Sequence, residues 1–431
     1  SERLASSCPF LYAWDGMKFV YVTDILGAAP IGELAPDGTT ISPHPEEYVR
    51  LPESLGDQDG DYVFQLTDEL REVDYFDQLR LVAVDHPATE EVYSNEIYSS
   101  APGRAVLFTV GEKHFPVAAT DEQGHDVLAL VREADGRYPA DFRHQRILGL
   151  ADLHSLTLDL GAFPTSAHIS LWLKGWVFWT DSNASRALES NKTHSMVPPY
   201  LQVLDAEGRW VTIIPDMGLP SGTNRSMRVD LTGKFLSADH RVRIVTNLCA
   251  FWDQVFITFD DRPVAPTVEL PLAGSDLHYR GFSRPASDPL HLRPDWFEYE
   301  KVLADAPWNP MAGRYTRYGS VAELLKREDD RLVVMAAGDE LTVRFSAKSL
   351  PPLKAGWKRT FFLYTAGYAK DGEPNTASSK TVDPMPFRAM SNYPPSRHDR
   401  YPDSPSRRLY LEHYQTRPAH LLIPPLSPPV Q

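Results

Sequence analysis

The stretch R-V-R-I-V-T-N-L-C-A-F-W-D-Q-V-F-I-T-F-D-D at residues 241–261 decides the fold class. Val242, Ile244 and Thr246 share one parity while Arg241 and Arg243 take the other, the two-residue period of a half-buried strand. Val255, Ile257 and Phe259 repeat it. β-Branched and aromatic side chains suit a pleated surface better than a helix, and Asp260 and Asp261 ahead of Pro263 stop the second run. The stretch is expected to form two buried strands joined by a tight, polar-marked corner.

Working outward, residues 151–265 carry strand signals at 155–160, 168–180, 200–204, 210–214 and 226–230, punctuated by Gly, Pro, Asn and Asp. That density predicts a β-sandwich or jelly roll. In residues 1–150, two apolar runs flank Asp15-Gly16, a hairpin signal. Further strands are expected at 79–84, 105–110 and 127–131, and a short helix over 67–75 capped by Thr67 or Asp68. Residues 275–390 are mixed but mainly β, with Ser320 and Glu323 spaced as a capping box that predicts a helix over 321–327. Nine prolines between Pro394 and Pro429, among arginines and tyrosines, predict that 391–431 is an extended tail draped over a neighbouring surface or partly disordered. The expected fold is mainly β. A sandwich or jelly-roll domain at 151–265 lies between β-rich domains at 1–150 and 275–390, with few short helices and an extended Pro-rich tail.

The 431 residues suggest two or three cores, and the net charge of −15, without a basic run, argues against nucleic acid as a partner. No apolar stretch approaches the roughly 20 residues of a membrane-spanning helix. The sequence starts at Ser1 without a charged-then-apolar leader, which suggests a mature product or a fragment of a longer polypeptide. No tandem repeat of propeller or solenoid type is visible.

The segment Gly56-Asp-Gln-Asp-Gly-Asp61 places Asp57, Asp59 and Asp61 at alternating positions beside a glycine, a spacing that can curl oxygen ligands around Ca2+. It lacks the distal Glu of an EF-hand, and such segments also occur as solvated turns. Trp172, Trp176 and Trp179 could present aromatic platforms to a sugar or another protein, with Asp181, Asn183 and His194 in the following polar loop, or could fill the sandwich core. Cys8 and Cys249 could form one long-range disulfide or be two separate buried thiols. His144 with His154, and His194 with His240, lack any metal-site spacing. Neither a nucleophile elbow, a P-loop nor a dinucleotide motif occurs, so no residue is assigned a catalytic role. Asn183, Asn191 and Asn224 head glycosylation-type triplets.

Four phrases carry a family resemblance: C-P-F-L-Y-A-W-D-G-M-K-F-V-Y-V-T-D-I-L-G-A-A-P from Cys8, T-N-L-C-A-F-W-D-Q-V-F from Thr246, W-N-P-M-A-G-R-Y-T-R-Y-G from Trp308 and L-Y-T-A-G-Y-A-K-D-G-E-P-N-T from Leu363. Over residues 8–393 the chain resembles the C-terminal portions of large bacterial proteins related to the cartilage acidic protein group, which carry FG-GAP propellers and ASPIC/UnbV modules. The resemblance implies an extracytoplasmic interaction or scaffold role. The chain shows neither propeller repeats nor a clear ASPIC/UnbV segment, so the calcium loops of that group are not carried over.

Together these features predict a non-catalytic protein of the periplasm, cell surface or secreted space that binds other proteins or self-assembles as a subunit of a larger complex. The alternative is a carbohydrate-binding module protein. A glycoside hydrolase or related hydrolase would need two suitably spaced carboxylates in a cleft.

Overall fold

A computed structural model of the chain describes residues 9–33, 41–98, 104–147, 149–164, 168–178, 196–289, 296–348 and 350–420. The architecture is mainly β, built from antiparallel sheets with one α-helix among the described residues, and no described helix is long and apolar enough to cross a membrane.

The expected hairpin forms: Phe10–Trp14 pairs with Phe19–Asp24, and Asp15 Oδ1 accepts the amides of Met17 and Lys18 at 2.8 Å each. This hairpin enters a six-stranded sheet whose order runs Phe19–Asp24, Phe10–Trp14, Asp61–Thr67, Asp339–Ser346, Leu272–Tyr279, with Asp57–Gln58 on Asp61–Thr67. A second, five-stranded sheet centres on the long strand Glu72–Pro87, which pairs with Trp357–Asp371 from Pro87 opposite Trp357 to Glu72 opposite Asp371. Leu11, Phe64, Leu341 and Phe345 from the first sheet meet Tyr75, Leu81, Val334 and Leu363 from the second in one apolar core. The stretches expected to form separate domains at 1–150 and 275–390 thus share both sheets and a core.

Strand Ala118–Thr120 and six strands within residues 150–258 make the seven-stranded middle sheet, where the expected corner at 241–261 is absent. Arg241–Thr258 is one unbroken strand. Its first half pairs with Leu150–Asp159 and Tyr200–Leu204, and its second half with Ser170–Phe178. Register shifts in the partners, at Leu150/His154 and Lys174/Gly175, let the strand pass from one leaf to the other without a turn. Gly175 is required there, since a Cβ would lie 2.2 Å from the Phe251 carbonyl oxygen. Val242 and Ile244 from one half and Val255 and Ile257 from the other enter the same core as Leu158, Leu171 and Met227.

Both expected helices fail for the same reason: tertiary strand pairing captures the backbone. Thr67 ends one strand and Glu72 begins the next, with Val73 and Tyr75 of one parity and Asp74 and Phe76 of the other all buried. Around the capping-box signal, Lys326 bridges to Gln78 and the Leu79 amide donates to Leu325 O, so residues 321–327 make a turn; Glu323 accepts from the Tyr414 hydroxyl. Residues 127–131 likewise form a 3-10 turn at Leu128–Leu130 instead of a strand.

Over its described residues, 391–420, the tail packs against the body of the protein, the draped alternative, and includes a helix. Ser404 Oγ accepts the Arg407 amide at 3.1 Å and Pro405 opens the helix Pro405–His413, which buries Tyr410 with its hydroxyl on Leu332 O at 2.7 Å. Arg417 then ion-pairs with Asp339, and Arg417–Ala419 adds a strand beside Gly313–Tyr315.

The middle sheet is pinned to the shared core by Arg225, 2% exposed, in strand Arg225–Asp230. Its guanidinium reaches Glu47 Oε2 and Glu96 Oε2 at 3.2 Å each and donates to Asp24 O at 2.5 Å. The carboxylates are themselves held: Asp24 Oδ1 accepts the Thr223 amide, Glu47 Oε1 the Leu26 amide, and Glu96 Oε1 the Ser94 hydroxyl. Burial would lower the guanidinium pKa, but Glu96, Glu47 and Asp24 together raise it. Burial outweighs Arg225 at Glu47 and Glu96, whose carboxyls stay raised.

Substituting Arg225→Met should lower unfolding stability by about 3–5 kcal/mol, because it leaves buried carboxylates without their cation. Denaturant unfolding at neutral pH checks this, and a variant as stable as the wild type would refute the pinning role.

Candidate functional site

A concavity of about 580 Å3 lies on the middle sheet, lined by Lys113, His114, Phe115, Pro116 and Val117, by Leu128 and Arg132, and by Leu160, Gly161 and Ala162. Three connections build it. The loop after strand Leu107–Val110 is bolted to the long strand by reciprocal bonds, His114 N to Ile257 O at 2.9 Å and Ile257 N to His114 O at 2.8 Å. Asp260 fastens its base by accepting the amides of Gly111 and Glu112 and the Thr258 hydroxyl. Burial works against that charge, yet these bonds hold the Asp260 carboxyl below its ordinary value. Leu128 and Arg132 come from the 3-10 turn region, tied in by Val255 N to Val131 O at 2.7 Å.

The lining holds three basic side chains and no carboxylate. Lys113 Nζ meets Glu91 Oε1 at 2.7 Å and lies 5.2 Å from the ring centres of Tyr93 and Phe256, so its charge is largely committed. The exposed Arg132 guanidinium lies 5.5 Å over Phe115 and has no carboxylate partner among the described residues. His114 packs 4.9 Å from Phe259. An unneutralised cation beside apolar walls suits an anionic group presented on an apolar stem.

The residues singled out from sequence lie elsewhere. Asp57–Gln58 and Asp61–Thr67 form a hairpin with Asp59 and Gly60 as its two turn residues, both at positive φ, and Asp57 Oδ1 accepts the Gly60 amide. The three carboxylates are spread around a two-residue turn, and they are not among the described clusters whose ligand atoms converge. Trp172 and Trp176 are each 1% exposed, Trp172 packed on Tyr93 and Phe108 and Trp176 stacked at 4.4 Å on Phe251. A sugar platform needs a free ring face, so of the two readings open for Trp172 and Trp176 the core one holds and the surface one falls. Trp179, Asp181, Asn183 and His194 lie outside the described residues, as do Asn191 and Cys8. Cys249 is a free thiol, pushed by burial up to about 12, with Sγ 3.6 Å from His144 Nδ1. His240 stacks on Phe163 at 3.8 Å, and Asn224 is an exposed turn residue at positive φ.

Carboxylates do gather in the shared core, at Asp68 and Asp74, both fully buried. Burial pushes the two carboxyls well above the ordinary range, and Asp74, Glu72, Asp339 and Glu69 raise Asp68 further. No substrate reaches them there. The concavity was missed from sequence because its lining joins three segments separated by up to 49 residues, none with a motif. No family model, curated protein or solved structure matches the chain.

A carboxyl with a raised folded-state pKa keeps its extra proton in the folded protein. Its favourable contribution is complete below the unfolded value near 3.8 and is lost as pH rises through the folded value. Asp74→Asn removes that dependence, so the melting temperature of the variant relative to wild type should climb as pH rises from about 4 to about 8. A difference that stays constant across the range would refute the assignment.

Proposed function

We propose that the protein is a non-catalytic interaction or scaffold subunit of an extracytoplasmic assembly, and that the Lys113–Arg132 concavity receives an acidic segment of a protein partner. The observation that carries this reading is the unpaired Arg132 in an open concavity lined by bases and apolar side chains, on a chain whose net charge is −15. Charge complementarity of this kind sets partner choice and association rate. The extracytoplasmic setting rests on the resemblance carried by residues 8–393.

A protein segment is favoured over a glycan at this concavity because its one aromatic ring, Phe115, is already covered by Arg132, and the buried Trp172 and Trp176 offer no alternative platform. A glycosidase mechanism needs a pair of carboxylates, and the lining supplies none.

A fluorescent glutamate-rich peptide of about ten residues should bind the wild-type chain and lose affinity as salt rises from about 50 to about 300 mM. Arg132→Glu should weaken it roughly tenfold, about 1.4 kcal/mol. Equal binding by R132E would overturn the placement. Selective binding of a polyuronate oligomer, with none of the peptide, would transfer the concavity to an acidic glycan.

A further inference from the structure

A group of cations gathers around Tyr93, where strand Glu46–Arg50 of the five-stranded sheet meets the short strand Glu91–Ser94. The Arg50 guanidinium lies 5.4 Å from the Tyr93 ring centre, and Lys113 Nζ lies 5.2 Å from it. Lys174 completes the group from the middle sheet. Along Ser170–Phe178 it shares a face with Trp172, whose ring packs 5.4 Å from that of Tyr93.

Two of the three cations are uncommitted. Lys113 is held by Glu91 Oε1 at 2.7 Å, while Glu91 Oε2 accepts the Tyr93 hydroxyl at 2.6 Å. Arg50 and Lys174 have no carboxylate within ion-pair distance among the described residues. The acids that act on Lys174 are already engaged. Asp253 Oδ1 accepts the amides of Asp135 and Gly136 at 3.1 and 2.9 Å, and Glu96 holds Arg225 and the Ser94 hydroxyl. Burial holds the Lys174 ammonium below its ordinary value against the attraction of Asp253, and Arg50 and Lys113 add to the lowering while Glu96 opposes it. Like charges gathered away from bulk water are unfavourable unless an anion sits among them.

A separate observation points the same way. Trp172 is 1% exposed, and its indole Nε1 proton meets no acceptor among the described residues. Buried donors are satisfied in folded proteins as a rule, so an orphaned one marks a place where an acceptor comes from outside the chain. Donors thus exceed acceptors around Tyr93. A planar guanidinium, an ammonium and an indole N–H approach from different directions, which suits a tetrahedral oxyanion better than a planar carboxylate. Arg50 and Lys174 are both half-buried, so a small ion reaches them from solvent.

We propose that Arg50, Lys113 and Lys174 around Tyr93 bind an oxyanion of the phosphate or sulfate type, free or as the ester group of a small molecule. Seated there, the anion ties strand Glu46–Arg50 to the middle sheet, a second connection beside the Arg225 cluster. Arg50 and Lys174 do not line the Lys113–Arg132 concavity, and neither proposal depends on the other.

The test titrates the full chain, dialysed free of phosphate and sulfate, with each inorganic anion by isothermal calorimetry at low salt. One equivalent should bind with Kd of about 1 mM or below. Arg50→Gln and Lys174→Met should each weaken binding at least roughly tenfold. Both should leave the melting temperature of the anion-free chain within about 3 °C, since neither side chain holds an ion pair. The Trp172 indole N–H resonance, identified by its loss in Trp172→Phe, should shift as phosphate is added, a change that a purely structural role for the cations would not produce. Tighter binding of glycerol phosphate than of inorganic phosphate assigns the site to an ester, and weaker binding assigns it to the free ion. Absence of saturable binding at about 20 mM of either anion, or affinity unchanged by either substitution, overturns the site.

Discussion

The pairing of Glu72–Pro87 with Trp357–Asp371 is the constraint on which the molecule depends. It brings together residues nearly three hundred positions apart and closes the chain on itself, with the middle sheet lying on the connection between them. Closing so large a loop is entropically unfavourable, and a ladder of this length with Leu79, Leu81 and Leu363 buried along it offsets that loss. The middle sheet is the excursion. It has a core of its own, and the buried Arg225 cluster ties it to the strands of the shared sheets.

That cluster is a specificity device more than a source of net stability. Moving a guanidinium and several carboxylates out of water is unfavourable, and attraction between them recovers only part of it. Its geometric demand is strict, because the guanidinium satisfies Glu47, Glu96 and the Asp24 carbonyl only when the middle sheet sits in one position. Burial acts on Asp68 and Asp74 as well and drives both toward the protonated form, while Asp339 nearby receives Arg417 from the tail. The tail is therefore part of the fold's electrostatics.

The concavity lies where loops cross the middle sheet, the usual location for binding groups on a β scaffold. It presents Arg132 to solvent. Its loops are tied to the long strand by backbone bonds, so it is available without further ordering of the backbone.

Strand type and many strand positions were legible in sequence, because alternation such as Val242, Ile244 and Val255, Ile257 reports directly on a half-buried pleat, and Asp15-Gly16 reports on a turn whose requirements are local. Ser404-Pro405 was a readable helix start, hidden by the prolines around it. What tertiary structure alone decided was which strands pair. The Ser320 capping box lost to a bridge with Gln78, and the polar residues of 241–261 mark passage between two leaves in place of a corner. The separation of 1–150 from 275–390 dissolved in a common core. The binding groups were equally illegible, since Arg132 and Lys174 gain meaning only from neighbours distant in sequence. Local periodicity determines the pleat; long-range pairing energies, which a one-dimensional pattern does not contain, determine everything that brings residues together across it.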